Sequence, residues 1–247
     1  MDVATEELAT STPVDRGGLF VGVDGCKGGW LCYVIDLDNY ETEFRIIPDF
    51  VEVILEYKCA EVVAVDIPIG LPPSGVRACD LEARKLLGKA RGSSVFPAPI
   101  RPLLHATTYE RACQKSLKVH GKRISIQAFG ILPKIRQVDQ VVSPGLQHWV
   151  YEVHPELSFR ALNGGRAMKH GKLSLNGRRE RLRLLSKLYP EIRLQLGELK
   201  RSQAGPDDLL DAAVAAWSAT RIARKKAVHL PAEPELDPTG LRMEISY

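Results

Sequence analysis

The sequence predicts an α/β fold, and three observations point to it. Apolar runs with strand-like alternation crowd the first quarter of the chain. At the end of that quarter, residues 62–65 form a short continuous apolar run, the composition of a strand buried on both faces. An alanine-rich helix opening at Pro206 follows a long, largely helical stretch.

Taken in order, the first run spans residues 19–23 and ends in Asp24. Gly25, Gly28 and Gly29 separate it from a second run at 31–35. This reads as a β-hairpin with a carboxylate at its mouth. Aspartate is depleted in strand interiors. Asp24 therefore caps the turn, the commoner role beside glycines, or is held at a strand end for chemistry. Residues 41–47 alternate and read as a third strand. Pro48 opens a helix through Tyr57, with Phe50, Val51, Ile54 and Leu55 as its buried stripe. The run at 62–65 ends in Asp66 and a Pro/Gly-rich loop. Ligands gather outside the carboxyl ends of strands in open α/β sheets, and loop-capping by Asp66 has comparable odds.

From 77 to 143 the pattern turns helical and basic, with helices expected at 77–87, 108–119 and 124–137, the last kinked at Pro133. A basic helical block is commonly a solvated face, and its excess over acids also suits a phosphate-facing surface. The next strand, 149–155, is interrupted by Glu152. Either Glu152 carries a carboxylate into the active end of the sheet, or it lies on the solvated face of an edge strand. Between Arg160 and Lys187 nine basic residues face a single acid, Glu180. The glycine-bearing stretch 163–177 reads as a flexible basic loop. In the closing helix Asp208 and Asp211 are three apart and share a face. One acid in a first turn is ordinary capping; two on one face ask for more. Residues 240–247 read as an added edge strand.

Composition bounds the reading. A chain of 247 residues, 45% hydrophobic, can bury a full core. A net charge of +4 permits a polyanionic partner without demanding one. Five cysteines without a CxxC pair read as reduced thiols of a cytoplasmic protein. No apolar run approaches the roughly 20 residues of a membrane span. Residues 1–17 read as a disordered polar tail without a signal-peptide core, and 18–247 as one domain with a helical, basic insertion at about 77–145. Oligomeric state is not legible.

The element order resembles the RNase H-like fold: a mixed five-stranded sheet flanked by helices, with a helical insertion. The motifs GVDGCKGGW, VAVDIPIGLP, YEVHPELSF and PDDLLDAAVAA, with RGSSVFPAP and GLRMEI, occur in that chain order apart from RGSSVFPAP, which follows the second. Together they resemble the uncharacterised family of predicted RNase H-like nucleases catalogued as domain of unknown function four-two-nine. The resemblance implies a site of Asp24, Asp66, Asp208 and Asp211, with Glu152 as a motif residue lacking a secure counterpart in the general nuclease site. Close carboxylates stay ionised together only beside cations, and oxygen-only ligands select Mg²⁺ or Mn²⁺. Two such ions about 4 Å apart serve phosphodiester hydrolysis. Lys134 or the basic loop, with Arg178, Arg179, Arg181 and Arg183, would meet the phosphate charge of a nucleic acid. The expectation is a metal-dependent nuclease. Its rivals are an ATPase or phosphotransferase of the actin-like branch, with the glycines after Asp24 as a phosphate cradle, and a non-catalytic nucleic-acid-binding module.

Overall fold

A computed structural model describes residues 18–247; the tail expected over 1–17 lies outside the described residues. Strands β1 (Leu19–Cys26), β2 (Gly29–Asp36) and β3 (Glu41–Ile47) form the antiparallel meander. Helix α1 (Phe50–Glu56) leads to β4 (Val62–Val65), which pairs parallel with β1. Helices α2 (Ala78–Arg91), α3 (Tyr109–His120), α4 (Ile126–Gly130) and α5 (Leu132–Val141) follow before β5 (Val150–Glu152) joins β4 in parallel. Helices α6 (Pro155–Leu162), α7 (Leu175–Leu185), α8 (Ile192–Glu198) and α9 (Pro206–Ala223) complete the helical part. The sheet order is β3-β2-β1-β4-β5, a mixed arrangement consistent with the RNase H-like one.

The two-residue period of the strands divides the core. Phe20, Leu31, Tyr33, Val62 and Ala64 face α9 and its neighbours α6 and α7. Val21, Val23, Trp30, Cys32, Val63, Val65 and Val150 face α1 and α5. At Gly22 the α9 backbone lies directly on β1. A Cβ there would stand 2.0 Å from the Ala212 carbonyl oxygen and 2.1 Å from the Ala216 nitrogen, so this crossing requires glycine. The alanines of α9 serve the same close approach.

Four expectations are corrected. In α1 the buried stripe is Phe50, Val53 and Ile54, while Val51 and Leu55 are exposed. The helix carries more apolar residues than one stripe can hold, and the stripe through Phe50 wins because its ring meets Trp30 at 5.0 Å. The helix expected over 124–137 is two, broken at Ile131; Pro133 sits in the first turn of α5, where a missing N–H is tolerated. Residues 155–162, 175–185 and 192–198, not anticipated as helices, are helical. The last segment does not extend the main sheet. Only β7 (Ile245–Ser246) is strand; it pairs with β6 (His229–Leu230) and touches the main sheet through a Val153–Ser246 bridge. Its approach is taken up by a turn in which Asp237 accepts from the amides of Thr239 and Leu241. Among the described residues no helix is long and apolar enough to cross a membrane.

Candidate active site

Asp24 and Asp66 are brought together by register. Val23 pairs with Val65, and the Asp66 amide donates to the Val23 carbonyl at 2.9 Å. The next residue on each strand is the aspartate, so both turn to the α9 face at the carboxyl end of parallel strands. The Gly22 crossing then sets the first turns of α9 beside them. Asp211 is 1% exposed, and Lys172 Nζ donates to its Oδ2 at 2.6 Å. Asp208 Oδ2 accepts from the Gly205 amide at 2.8 Å, so this half-buried carboxylate also caps its helix.

A fifth carboxylate joins them. Glu156 lies in the first turn of α6, with its Oε1 paired to Arg181 and its buried Oε2 without a partner. It is close enough to Asp66 to raise that carboxyl's pKa. His154 caps the same helix through Nδ1, 3.2 Å from the Glu156 amide, and burial lowers its pKa.

The electrostatics follow from this crowding. Burial pushes Asp24 well above the ordinary carboxylate range; Asp66, Asp211 and Asp208 add to the rise, and Lys172 opposes it. Burial likewise pushes Asp66 up to about 7, with Asp211 and Glu156 adding and Lys172 opposing. Asp208 is raised by burial and by its acidic neighbours against the pull of the Gly205 amide. Burial works against the charge on Lys172, but Asp211, Asp24 and Asp66 outweigh it and its pKa rises. The pole thus gathers five carboxylates, Asp24, Asp66, Glu156, Asp208 and Asp211, around Lys172 and Arg181.

The remaining expected site residues fall elsewhere. Glu152 pairs in register with Val65, so it shares the α1/α5 face and points away from Asp24 and Asp66. It is neither solvated nor in the acid pole. Its two oxygens take Arg77 Nη1 and Nη2 at 2.7 Å each, and Oε2 takes the Ile69 amide at 2.6 Å. In the motif YEVHPELSF it is Glu156 that reaches the site. Lys134 stands on α5, its Nζ donating to the Gly29 carbonyl at 2.5 Å and lying 4.4 Å over the Trp30 ring. It anchors the hairpin; burial lowers its pKa. The four arginines of α7 do not form one surface. Arg179 and Arg183 are exposed, Arg178 is half-buried, and Arg181 is buried, bonded to Glu156 and to the carbonyls of His170 and Gly177 at 3.0 Å. The hairpin turn is occupied by the chain itself: the Gly28 amide donates to the Gln203 carbonyl at 2.7 Å.

Glu156 and Lys172 are the functional candidates that sequence reasoning missed. Glu156 follows Pro155 and passes for a first-turn acid; Lys172 is one of nine basic residues in its segment. Among the described residues no three His, Cys, Asp or Glu side chains are spaced to hold an ion as they lie. The donor set still fits a hard cation in kind. Its ligands are oxygen only, Glu156 Oε2 is buried and unpartnered, and Asp24 and Asp66 are raised by burial and by the carboxylates beside them, a rise that a bound cation would oppose.

Comparison with curated proteins finds no match, and comparison with solved structures finds none either. A family model described as "Protein of unknown function (DUF429)" matches residues 22–236. That match spans most of the chain, and the protein belongs to the DUF429 family, whose function is not known.

Proposed function

We propose that this protein is a metal-dependent nuclease that hydrolyses phosphodiester bonds in nucleic acid. The observation that carries the proposal is the convergence of Asp24, Asp66, Asp208 and Asp211 from two strands and a helix, with Glu156 beside them and a shortage of cations. Asp24, Asp66, Asp208 and Asp211 would hold Mg²⁺ or Mn²⁺. Bound ions of this kind activate water and stabilise a leaving oxygen. The chain's own part is to orient the acids and exclude water behind them. Arg181 fixes the Glu156 carboxylate through one oxygen and leaves the other free. Lys172 keeps its proton and offers a fixed positive charge to a phosphate oxygen. The free cysteines, four of them buried, support a reducing, cytoplasmic setting.

The test is cleavage of branched DNA, RNA–DNA hybrid and single-stranded substrates with Mn²⁺. Asp24→Asn, Asp66→Asn and Asp211→Asn should each remove most activity, and double variants should add little, because the acids act as one unit. If no substrate is cut, the non-catalytic binding module replaces this reading. The actin-like alternative finds less support, since the Gly28 amide that would cradle a phosphate is spent on Gln203.

A further inference from the structure

We infer that the groove between segment 163–170 and the outer side of α7 is a second site, one that binds the phosphate backbone of a nucleic acid. The groove has a volume of about 490 Å³, and Arg166, Lys169, Arg179 and Arg183 line it. Glu180 is the one acid on its wall. That carboxylate is already spent, accepting from the Lys169 amide at 3.0 and 3.1 Å and from the His170 amide at 3.1 Å. Among the described residues no carboxylate stands within ion-pair distance of the four cations. Four positive side chains against one engaged carboxylate make the groove a place for anionic groups.

The walls are built before any ligand arrives. Gly164 and Gly165, at φ 64° and 82°, turn the chain out of α6 in a conformation that suits glycine. Asn163 Nδ2 holds the Arg166 carbonyl at 2.9 Å. Arg91, from α2, donates to the carbonyls of Met168 and Lys169 at 3.0 and 2.9 Å. Arg179 and Arg183 are one helical turn apart, separated by roughly 6 Å of rise, which suits successive charges better than a single one.

Each wall also has an inner side. The loop that offers Lys169 outward sends Lys172 to Asp211, and the helix that offers Arg179 and Arg183 outward sends Arg181 to Glu156. A strand held in the groove is therefore held by the same two elements that shape the acid pole. As a substrate-holding surface the groove rests on the nuclease reading; as a binding site it does not.

The test is fluorescence anisotropy of labelled single-stranded and duplex oligonucleotides in EDTA, across a salt titration, with the full chain. Arg179→Ala with Arg183→Ala, and Arg166→Ala with Lys169→Ala, should each weaken binding about tenfold or more and flatten the salt slope by about 1–2, as lost phosphate contacts require. Arg179→Lys with Arg183→Lys should keep most of the affinity, and melting temperatures of all variants should match the wild type. Wild-type affinity and slope in both double variants would overturn the inference, as would a wild-type protein that binds no oligonucleotide at low salt. Inorganic phosphate or pyrophosphate at constant ionic strength should compete weakly. Full displacement by millimolar phosphate would overturn the backbone assignment in favour of a small phosphate ligand. Cleavage is scored separately with Mn²⁺. Binding lost in the variants without cleavage by any form upholds the groove and removes the nuclease. Cleavage with unchanged KM in both double variants does the reverse.

Discussion

At the carboxyl ends of β4 and β5 the sheet carries two sets of charges, one on each face, the first buried and the second partly open to solvent. On the α1/α5 face Arg77 holds Glu152 with both Nη atoms and Asp80 through Nε at 3.2 Å and Nη2 at 2.6 Å. The remaining lone pairs there are met by backbone: Ile69 donates to Glu152 and Ala98 to Asp80 at 2.9 Å. Arg77 also donates to the Ile69 carbonyl at 3.2 Å, so the set clamps the loop that follows Asp66. On the α9 face five carboxylates share Lys172 and Arg181, and one buried oxygen of Glu156 has no partner. Both sets are charged; the first is buried throughout, while Asp66, Asp208 and Lys172 of the second reach solvent. What separates them is completeness: the first is closed by its own chain, and the second is short of positive charge. A closed set is scaffold, and an open one waits for something from outside.

Opening the closed set has the largest expected effect. Arg77→Met leaves Glu152 and Asp80 buried without a counter-ion and should cost about 3–5 kcal/mol of folding stability. Chemical denaturation measures it, and a loss below about 1 kcal/mol would mean that the clamp is not needed. Removing a charge at the open pole should act in the opposite direction. Asp24→Asn removes like charge and should raise the melting temperature of the metal-free protein. Mn²⁺ should stabilise the wild type, by about 2.7 kcal/mol at a hundredfold excess over Kd. Asp24→Asn should lose that response and Glu152→Gln should keep it. A wild-type melting temperature indifferent to millimolar Mn²⁺ contradicts the contrast.

Acidity sharpens it. Asp66 stands at about 7 against an ordinary 3.8, so the folded state binds the extra proton between those values. Its contribution to stability is full below about pH 4 and is lost as pH rises through about 7. Burial also lifts Glu152 to about 7, against the pull of Arg77. Mg²⁺ should flatten the part of the slope that comes from Asp24, Asp66 and Asp208 and leave the Glu152 part, and Asp66→Asn should remove the Asp66 share without metal. Melting curves from pH 4 to 8 in both states decide it, and a slope unmoved by Mg²⁺ and by Asp66→Asn would oppose the assignment. The smallest effect belongs to Asp207, about 100° round α9 from Asp208. Asp207→Asn should cost at most about 1 kcal/mol, as a first-turn charge, and leave the Mn²⁺ response intact. Equal damage from Asp207→Asn and Asp208→Asn to that response would mean the helix face is misassigned.

Much of this is legible in the sequence itself. The apolar runs at 19–23, 31–35, 41–47 and 62–65 announce their strands, because two-residue alternation and full burial leave direct marks on composition. Asp24, Asp66, Asp208 and Asp211 stand out less by any one position, since turn or helix capping explains an acid at several of them, than by their recurrence at the ends of three separate elements. Glu152 misleads for a definite reason. Which face it takes depends on the register of β5 against β4, and one step of register exchanges the faces. No local pattern carries that information. Lys172 and Arg181 are hidden by their neighbours, since nine basic residues in one segment look alike until packing turns two of them inward.

The contact at Gly22 has a further meaning. It is a gauge: with no side chain between them, strand and helix touch, and the separation between the strand acids and the helix acids is set by that touch. A single methyl at this position would work as a wedge. Gly22→Ala would tilt or lift α9 and draw Asp208 and Asp211 away from Asp24 and Asp66 while leaving every acid in place. A chain with all of these acids and a bulkier residue at this point would carry the letters of the site without its dimensions. The glycine two residues before Asp24 therefore says as much about whether the site is assembled as any of the carboxylates does.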